Sequence, residues 1–374
     1  MAVYTEVSFT EARDLLRRLS LGELHDLRGI QGGIENTNYF ATVLPAPAKS
    51  TRSAKPGTAG EAAETAEAAT KCDYVLTLFE RLTAEQLPFY LYLMKHLAQR
   101  GIPVPDPQGD KNGNILHTVN GKPAAVVNRL PGTSELAPTA VHSAAVGDML
   151  ARMHLAGRDF DRYQPNLRGL DWWNDTAPAV MPHLGAAQAA LLQGELAYQN
   201  HVAASSAYAA LPRGPVHADL FRDNAMFDNG LLSGFFDFYF AGTDAWLFDL
   251  AVCLNDWCID LATGSHHAER ADAFIGAYSR IRPFSAAERY LLPAMLRGAA
   301  LRFWISRLWD FYLPRDAALL QPHDPAHFER VLRCRVAQPC AAGLTPAAPS
   351  APLPSSVSTA SCAAAAASTP GPAT

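Results

Sequence analysis

Six cysteines, at positions 72, 253, 258, 334, 340 and 362, include no CxxC pair, so neither a redox dithiol nor a compact zinc site is written into this chain. Cys253 and Cys258 lie in an apolar stretch and read as small core residues. Basic charge is scarce as well. Lys and Arg total 31 against 36 Asp and Glu, a net charge of −5, without the basic face that a nucleic-acid binder presents. Charges interrupt every apolar run before it reaches the length that spans a bilayer. Residues Met1 to Ser8 contain Glu6 and no apolar core of a secretory leader. The expectation is a soluble, cytoplasmic protein with reduced thiols and neither a nucleic-acid nor a membrane partner.

What is present is concentrated in one run, His217-Ala218-Asp219-Leu220-Phe221-Arg222-Asp223-Asn224, followed by Phe235-Phe236-Asp237. It supplies an acid, an amide five residues on, and a second acid thirteen positions after the amide (237 − 224). Phosphoryl transfer needs charge neutralisation and alignment more than covalent chemistry, and this set of groups can provide both. Asp219 would orient an attacking hydroxyl and take its proton. Asn224 and Asp237 would offer oxygens to Mg²⁺, a hard cation that prefers them. Ala225 to Phe227 and Leu231 to Phe236 read as short strands, with Asp228-Asn229-Gly230 as the hairpin turn between them, because Asn-Gly accepts positive φ at little cost. The hairpin would bring Asp237 back beside Asn224.

The 374 residues, 49% hydrophobic, suffice for two domains. Ser8-Phe9-Thr10-Glu11 is a capping-box pattern opening a helix with Leu15, Leu16 and Leu19 on its apolar side. Two strands flank the glycine-rich turn Gly29 to Ile34, the second running from Thr37 to Leu44. Residues 45–71, almost without large apolar side chains, read as a disordered insertion. Asp73 to Phe79 resumes as a strand, Thr83 to Arg100 reads as a helix stopped by Gly101, and Asn114–Leu116 with Ala124–Leu130 read as a strand pair. After Pro131-Gly132 the pattern turns helical: Ala140 to Gly157, with Val141, Ala145, Leu150, Met153 and Leu155 as its stripe, then 185–210, 244–262, 268–281, 286–312 and 325–335. The Ala/Pro/Ser/Thr-rich end reads as a disordered tail. The layout is α+β and bilobal, protein-kinase-like. A small antiparallel-sheet lobe spans 1–130, a larger mainly helical lobe spans 131–336, and the tail spans 337–374, with nucleotide expected in the cleft.

The HADLFRDN loop, the FFDF strand end and Asp249-Leu250-Ala251 resemble the aminoglycoside phosphotransferase and choline kinase-like superfamily. Gly32 to Phe40 (GGIENTNYF), Tyr74 to Glu80 (YVLTLFE) and Gly101 to Pro105 (GIPVP) are similar to the bacterial homoserine kinases of that fold, over about residues 2–335 without the insertion. The resemblance implies ATP-dependent phosphorylation of the side-chain hydroxyl of L-homoserine, a step toward threonine, with ATP and Mg²⁺ as cofactors. It implies Asp219 as catalytic base, Asn224 and Asp237 as metal ligands, and Gly32, Gly33, Thr37 and Asn38 as nucleotide-binding positions, the Thr37 hydroxyl among the phosphate donors. Backbone near Val127 to Leu130 would meet the adenine. The superfamily's phosphate-pairing Lys or Arg is replaced here by Thr77, with Arg81 or Lys71 as candidate substitutes, and Glu85 has no assigned role. His217 and Asp249 are expected to orient the catalytic loop, and Asp223 to cap the hairpin.

An amino-acid acceptor carries a carboxylate and an ammonium. Asp249, Val252, Cys253 and Asp256 share a helix face by their spacing, with Trp257 adjacent. Arg302, Ser306 and Trp309 share another, with Arg307 beside them. Asp256 and Trp257, with Arg302 and Arg307 as carboxylate clamps, are therefore the substrate-binding candidates. Two alternatives stay open: a kinase of another small hydroxyl acceptor (aminoglycoside, choline, ethanolamine or sugar), or a nucleotide-binding pseudokinase, for which Thr77 is the support.

Overall fold

The structure is a computed structural model that describes residues 5–30, 36–44, 71–313 and 323–338. Gly32, Gly33, the expected insertion up to residue 70 and the expected tail from residue 339 lie outside the described residues.

The chain opens on α1 (Phe9–Arg18), whose first turn is closed by the expected capping box: Ser8 N–H donates to Glu11 Oε2 (2.8 Å) and Glu11 N–H to Ser8 Oγ (3.2 Å). Strands β1 (Glu23–Gly29), β2 (Asn36–Leu44), β3 (Cys72–Phe79), β4 (His117–Val119) and β5 (Lys122–Asn128) form an antiparallel sheet in the order β1-β2-β3-β5-β4. Strand β2 alternates strictly. Thr37, Tyr39, Ala41 and Val43 are buried, and the apolar members of that set join Leu15 and Leu16 of α1 in a small core. Asn38 and Phe40 point to the other face, which looks toward the helical region. Helix α2 (Leu87–Gln99) packs its apolar side into the main core.

Two boundaries in this part differ from expectation. Helix α2 begins at Leu87 rather than Thr83, because Pro88 is tolerated only in a first turn. The strand pair is His117–Val119 with Lys122–Asn128, not one starting at Asn114. Asn120 (φ 51°) and Gly121 (φ 74°) make the two-residue turn that fixes its register.

The second region begins with the short strand β6 (Thr133–Ser134), then α3 (Ala140–Ala156), α4 (Leu170–Val180), α5 (Ala186–Ala203), α6 (Ser206–Ala209) and strand β7 (Arg213–Val216). The hairpin β8 (Ala225–Asp228) and β9 (Leu231–Phe235) follows, then β10 (Gly242–Ala245), α7 (Trp246–Trp257), α8 (Ala268–Ile281), α9 (Ala286–Tyr312) and α10 (Ala326–Ala337). Asn229 (φ 49°) and Gly230 (φ 79°) form the hairpin turn. Strand β6 pairs with β8, and β7 with β10. The sequence pattern misses this second pairing and α4, and it runs α7 two residues too early, through part of β10.

On α3 the buried face is Ser143, Val146, Gly147, Leu150, Ala151, Met153 and His154, while Val141 is 72% exposed. The stripe is rotated from the expected one because Gly147 lets α8 approach. A Cβ at Gly147 would stand 2.3 Å from the Phe274 carbonyl oxygen. Helix α7 is buried on every side and forms the centre of the main core.

Candidate active site

Strand β7 delivers the chain to His217 at the middle of the helical region. The loop that follows is suspended from α7. Asp249, fully buried, accepts the His217 N–H at Oδ2 (2.8 Å) and the Ala218 N–H at Oδ1 (2.8 Å). Two turns further along α7, Asp256 accepts the Arg222 N–H (2.8 Å) and Arg222 Nε (3.0 Å) at Oδ2. The two acids share a helix face, as their spacing requires, and that face is turned to the loop backbone.

Behind Asp249 runs a buried chain of polar groups. His154 on α3 reaches Asp249 Oδ2 through Nε2 (3.1 Å) and the Tyr278 hydroxyl through Nδ1 (2.8 Å). Arg282 Nε donates to the Tyr278 oxygen (2.8 Å), and Arg282 is paired with Glu288. Burial pushes the His154 pKa down, so the ring is neutral. Neutral, it donates from Nε2 to Asp249 and accepts from Tyr278 at Nδ1. Burial acts to raise the Asp249 pKa, but the bond from His154 and the His217 N–H hold it below the ordinary carboxylate value. The acid is a buried anion with its acceptor capacity spent on N–H donors.

This suspension sets two unusual backbone positions. Ala218 has φ 63° and Asp237 has φ 64°, both in the left-handed region that L residues seldom occupy. Each is fixed by neighbours. Ala218 is held by Asp249. Phe236, just before Asp237, donates its N–H to the Asn224 carbonyl (3.0 Å) and accepts from His217 Nε2 (2.8 Å). The result is convergence: Asn224 Nδ2 donates to the Asp219 carbonyl (2.8 Å) and lies 3.3 Å from Asp219 Oδ2, and Asp237 is near enough to repel Asp219 electrostatically.

The Asp219 carboxyl is pushed up to about 8, first by burial and then by the like charges of Asp237 and Asp223, against the pull of Arg302. Arg302 on α9 is 3% exposed, with Nη1 3.9 Å from Asp219 Oδ1. Its guanidinium lies 3.7 Å from the Phe303 ring centroid and 5.2 Å from that of Phe240. Burial lowers its pKa to about 10, so it stays charged at neutral pH. Arg307 lies over the Phe328 ring (4.5 Å) and reaches the Asp324 carbonyl (3.4 Å).

Three candidate residues sit otherwise than the sequence suggested. Trp257 is fully buried and its indole N–H donates to the Leu220 carbonyl (3.0 Å), so it supports the loop from beneath and has no face for a substrate. Asp256 is bound to Arg222, so it is not an open acid waiting for an ammonium. Thr37 is fully buried on the α1 side of the sheet. Its hydroxyl accepts the Thr5 N–H (3.1 Å) and gives its proton to Glu80 Oε1 (2.6 Å), which removes it from the phosphate donors. Asn38 lies on the opposite face of β2 from Thr37, where its Oδ1 accepts from the Thr77 hydroxyl (2.7 Å). Arg129 N–H, in the segment expected to meet adenine, is committed to the Asp73 carbonyl (3.0 Å). Arg222, His154, Tyr278 and Arg282 carry the loop and were not singled out from the sequence. Arg222 lies within the motif, but its partner Asp256 is 34 residues away; His154 and Tyr278 meet across 124 residues, and Arg282 reaches the loop only through Tyr278.

Among the described residues, no group of three or more His, Cys, Asp or Glu could hold a metal by itself. No described helix is long and apolar enough to cross a membrane.

The profile of the phosphotransferase enzyme family matches residues 26–284. The homoserine kinase of Polaromonas naphthalenivorans (strain CJ2) is 62% identical over 339 residues, covering 91% of this chain and 99% of that protein. The homoserine kinase of Ralstonia nicotianae (strain ATCC BAA-1114 / GMI1000) is 56% identical over 342 residues, covering 90% and 96%. Among solved structures, amicoumacin kinase hAmiN in complex with AMP-PNP, Ca²⁺ and Ami is similar in fold, with a TM-score of 0.58 at 16% identity, covering 87% of this chain and 94% of that one. A microcompartment-associated aminopropanol kinase has a TM-score of 0.56 at 16% identity, covering 88% and 94%.

Proposed function

The chain belongs to the phosphotransferase enzyme family and, within it, to the homoserine kinases; we propose that it transfers the γ-phosphoryl group of ATP to the side-chain hydroxyl of L-homoserine, giving O-phospho-L-homoserine and ADP. The observation that carries the reading is the convergence of Asp219, Asn224 and Asp237 on one point, on a loop suspended from Asp249, in a chain 62% identical to a homoserine kinase along nearly all of that protein.

In this reading Asp219 accepts a hydrogen bond from the acceptor hydroxyl and takes its proton as the phosphoryl group moves. A pKa of about 8 lies near neutral pH, where a general base balances the fraction that is ionised and able to act against its hold on the proton it takes. Ala218 and Asp249 keep the base aimed. Asn224 turns its amide nitrogen toward Asp219, which leaves its amide oxygen on the other side, and Asp237 is an exposed carboxylate next to it. Two hard oxygens without further protein ligands fit Mg²⁺, which keeps waters and shares phosphate oxygens rather than filling an all-protein cage. When bound, the ion neutralises charge on the transferring phosphoryl group. Asn38, whose amide oxygen accepts from the Thr77 hydroxyl, would serve the nucleotide together with Gly32 and Gly33, and Thr77 takes the position at which the family resemblance leads one to expect a cation. The reaction is assigned to the cytoplasm.

The test is coupled ADP release with Mg·ATP against L-homoserine, L-serine, L-threonine, choline and kanamycin. Release with L-homoserine alone is expected. Release with a different acceptor would keep the kinase chemistry and discard the acceptor. ATP binding without release from any of them would favour the pseudokinase.

A further inference from the structure

A buried arginine normally spends its donors, because an unpaired buried N–H costs the full desolvation of the group. Arg302 does not. Its Nε and Nη2 are buried and have no hydrogen-bond partner among the described residues. Its Nη1 stands 3.9 Å from Asp219 Oδ1, beyond hydrogen-bond distance. The guanidinium is gripped by Phe303 and by Phe240, which lies three residues after Asp237. A rigid, desolvated cation with unspent donors therefore faces the carboxylate that receives the acceptor hydroxyl. The neighbouring cations have other contacts: Arg168 lies over the Trp172 ring, and Arg307 over the Phe328 ring with a bond to the Asp324 carbonyl.

We propose that Arg302 binds the α-carboxylate of the acceptor and is the residue that makes this site specific for an amino-acid alcohol. The inference rests on the reading of Asp219 as the group facing the hydroxyl. In homoserine the hydroxyl and carboxylate oxygens lie roughly 4–5 Å apart from standard bond lengths. That span lets one molecule donate its hydroxyl to Asp219 while its carboxylate accepts from Arg302. The arrangement also selects by repulsion. A polyamine sugar or a quaternary ammonium alcohol would bring a cation against a buried guanidinium, and an uncharged alcohol would leave its donors unpaired.

The test compares kcat/KM for L-homoserine with that for 3-aminopropan-1-ol, which is homoserine without its carboxylate, in the wild-type enzyme and in Arg302→Met and Arg302→Lys. The ratio of the two values cancels whatever Arg302 does for Asp219 itself. The wild type is expected to prefer homoserine strongly. Arg302→Met should lower that preference by about 30- to 5,000-fold, the range for removing one partner of a buried charge pair. Arg302→Lys, which keeps the charge and loses the planar fork, should restore part of it. A ratio unchanged in Arg302→Met, with both acceptors slowed equally, overturns the inference and leaves the homoserine reading standing. No homoserine turnover in the wild type sinks that reading and the inference with it.

Discussion

Replacing Asp249 with asparagine removes a charge and turns one acceptor into a donor at a point no water reaches. In the native protein Oδ2 accepts from His217 N–H (2.8 Å) and His154 Nε2 (3.1 Å), and Oδ1 from Ala218 N–H (2.8 Å). An asparagine would keep its oxygen toward the two donors, and its NH₂ would then face the Ala218 N–H, donor against donor. A buried donor left unpaired costs about 1–3 kcal/mol. Loss of charge from the two remaining bonds brings the total to about 3–5 kcal/mol, the range for breaking a buried charged pair. Ala218, at φ 63°, sits in a conformation that costs an L residue roughly 1–2 kcal/mol. Released, it relaxes and re-aims Asp219, the next residue. Misplacement of a reacting group by about 1 Å costs on the order of 100-fold in rate. Urea unfolding should therefore show the stability loss, and steady-state kinetics should show kcat down about 100-fold with KM for ATP changed by no more than about threefold. Adding Ala218→Gly should recover part of kcat, because glycine accepts positive φ without steric cost. A variant within about 1 kcal/mol of wild-type stability and within about threefold of its kcat would refute the reasoning.

Asp219→Ala should lower kcat by about 10²–10⁴-fold while calorimetry still detects ATP binding, and Asp237→Ala should raise the Mg²⁺ concentration needed for half-maximal rate; unchanged turnover or unchanged metal dependence, respectively, removes that residue from its role. His266 has both ring nitrogens buried, with no hydrogen bond of good geometry among the described residues, and burial, then Arg335, lowers its pKa to about 3 against a weaker pull from the Cys258 backbone. Folding therefore opposes its protonation: its contribution is intact above the ordinary value of about 6.5 and is lost as pH falls from there toward 3. Relative to wild type, His266→Leu should gain about 2 kcal/mol more at pH 5 than at pH 7, read from urea midpoints; an equal difference at both pH values rules this out. Gly147→Ala places a Cβ 2.3 Å from the Phe274 carbonyl and forces α3 from α8, so it should cost about 1–3 kcal/mol although alanine is the better helix former. Because His154 and Tyr278 lie further along the same two helices, kcat should fall with it, and a stabilised, fully active Gly147→Ala would contradict the packing described.

What the sequence disclosed, it disclosed through short-range signals. The capping box at Ser8 and Glu11 and the Asn229-Gly230 turn are decided within four residues, and both stand as the pattern indicates. The turn then carries information further than its own length, because a two-residue hairpin fixes register and brings Phe236 back to Asn224. Asp219, Asn224 and Asp237 were legible as a group for that reason. Signals of the same kind stand at Asn120-Gly121 and at Pro88, and it is they that set the observed boundaries of the β4–β5 pair and of α2. Strands β7 and β10, four residues each, have too little length for alternation to register.

The partners of charged side chains were a different matter. Spacing on α7 placed Asp249 and Asp256 on one face, but nothing local says what lies opposite. The structure puts the loop there, so Asp256, expected beside a substrate, is an acceptor for a backbone N–H, as is Asp249, expected to orient the loop. The same ambiguity ran the other way on α9. Arg302 and Arg307 read alike from their spacing, as carboxylate clamps; in the structure Arg302 is held just out of hydrogen-bond reach of Asp219 with two of its nitrogens unbonded among the described residues, while Arg307 meets the Phe328 ring and the Asp324 carbonyl. Both outcomes follow from one constraint. A buried charge must be matched, and the match is supplied either by the chain or by what the chain binds. Asp249 and Asp256 are matched within the fold and belong to its framework. Arg302 is matched only in part among the described residues, and the remainder is what the proposed acceptor carboxylate would supply.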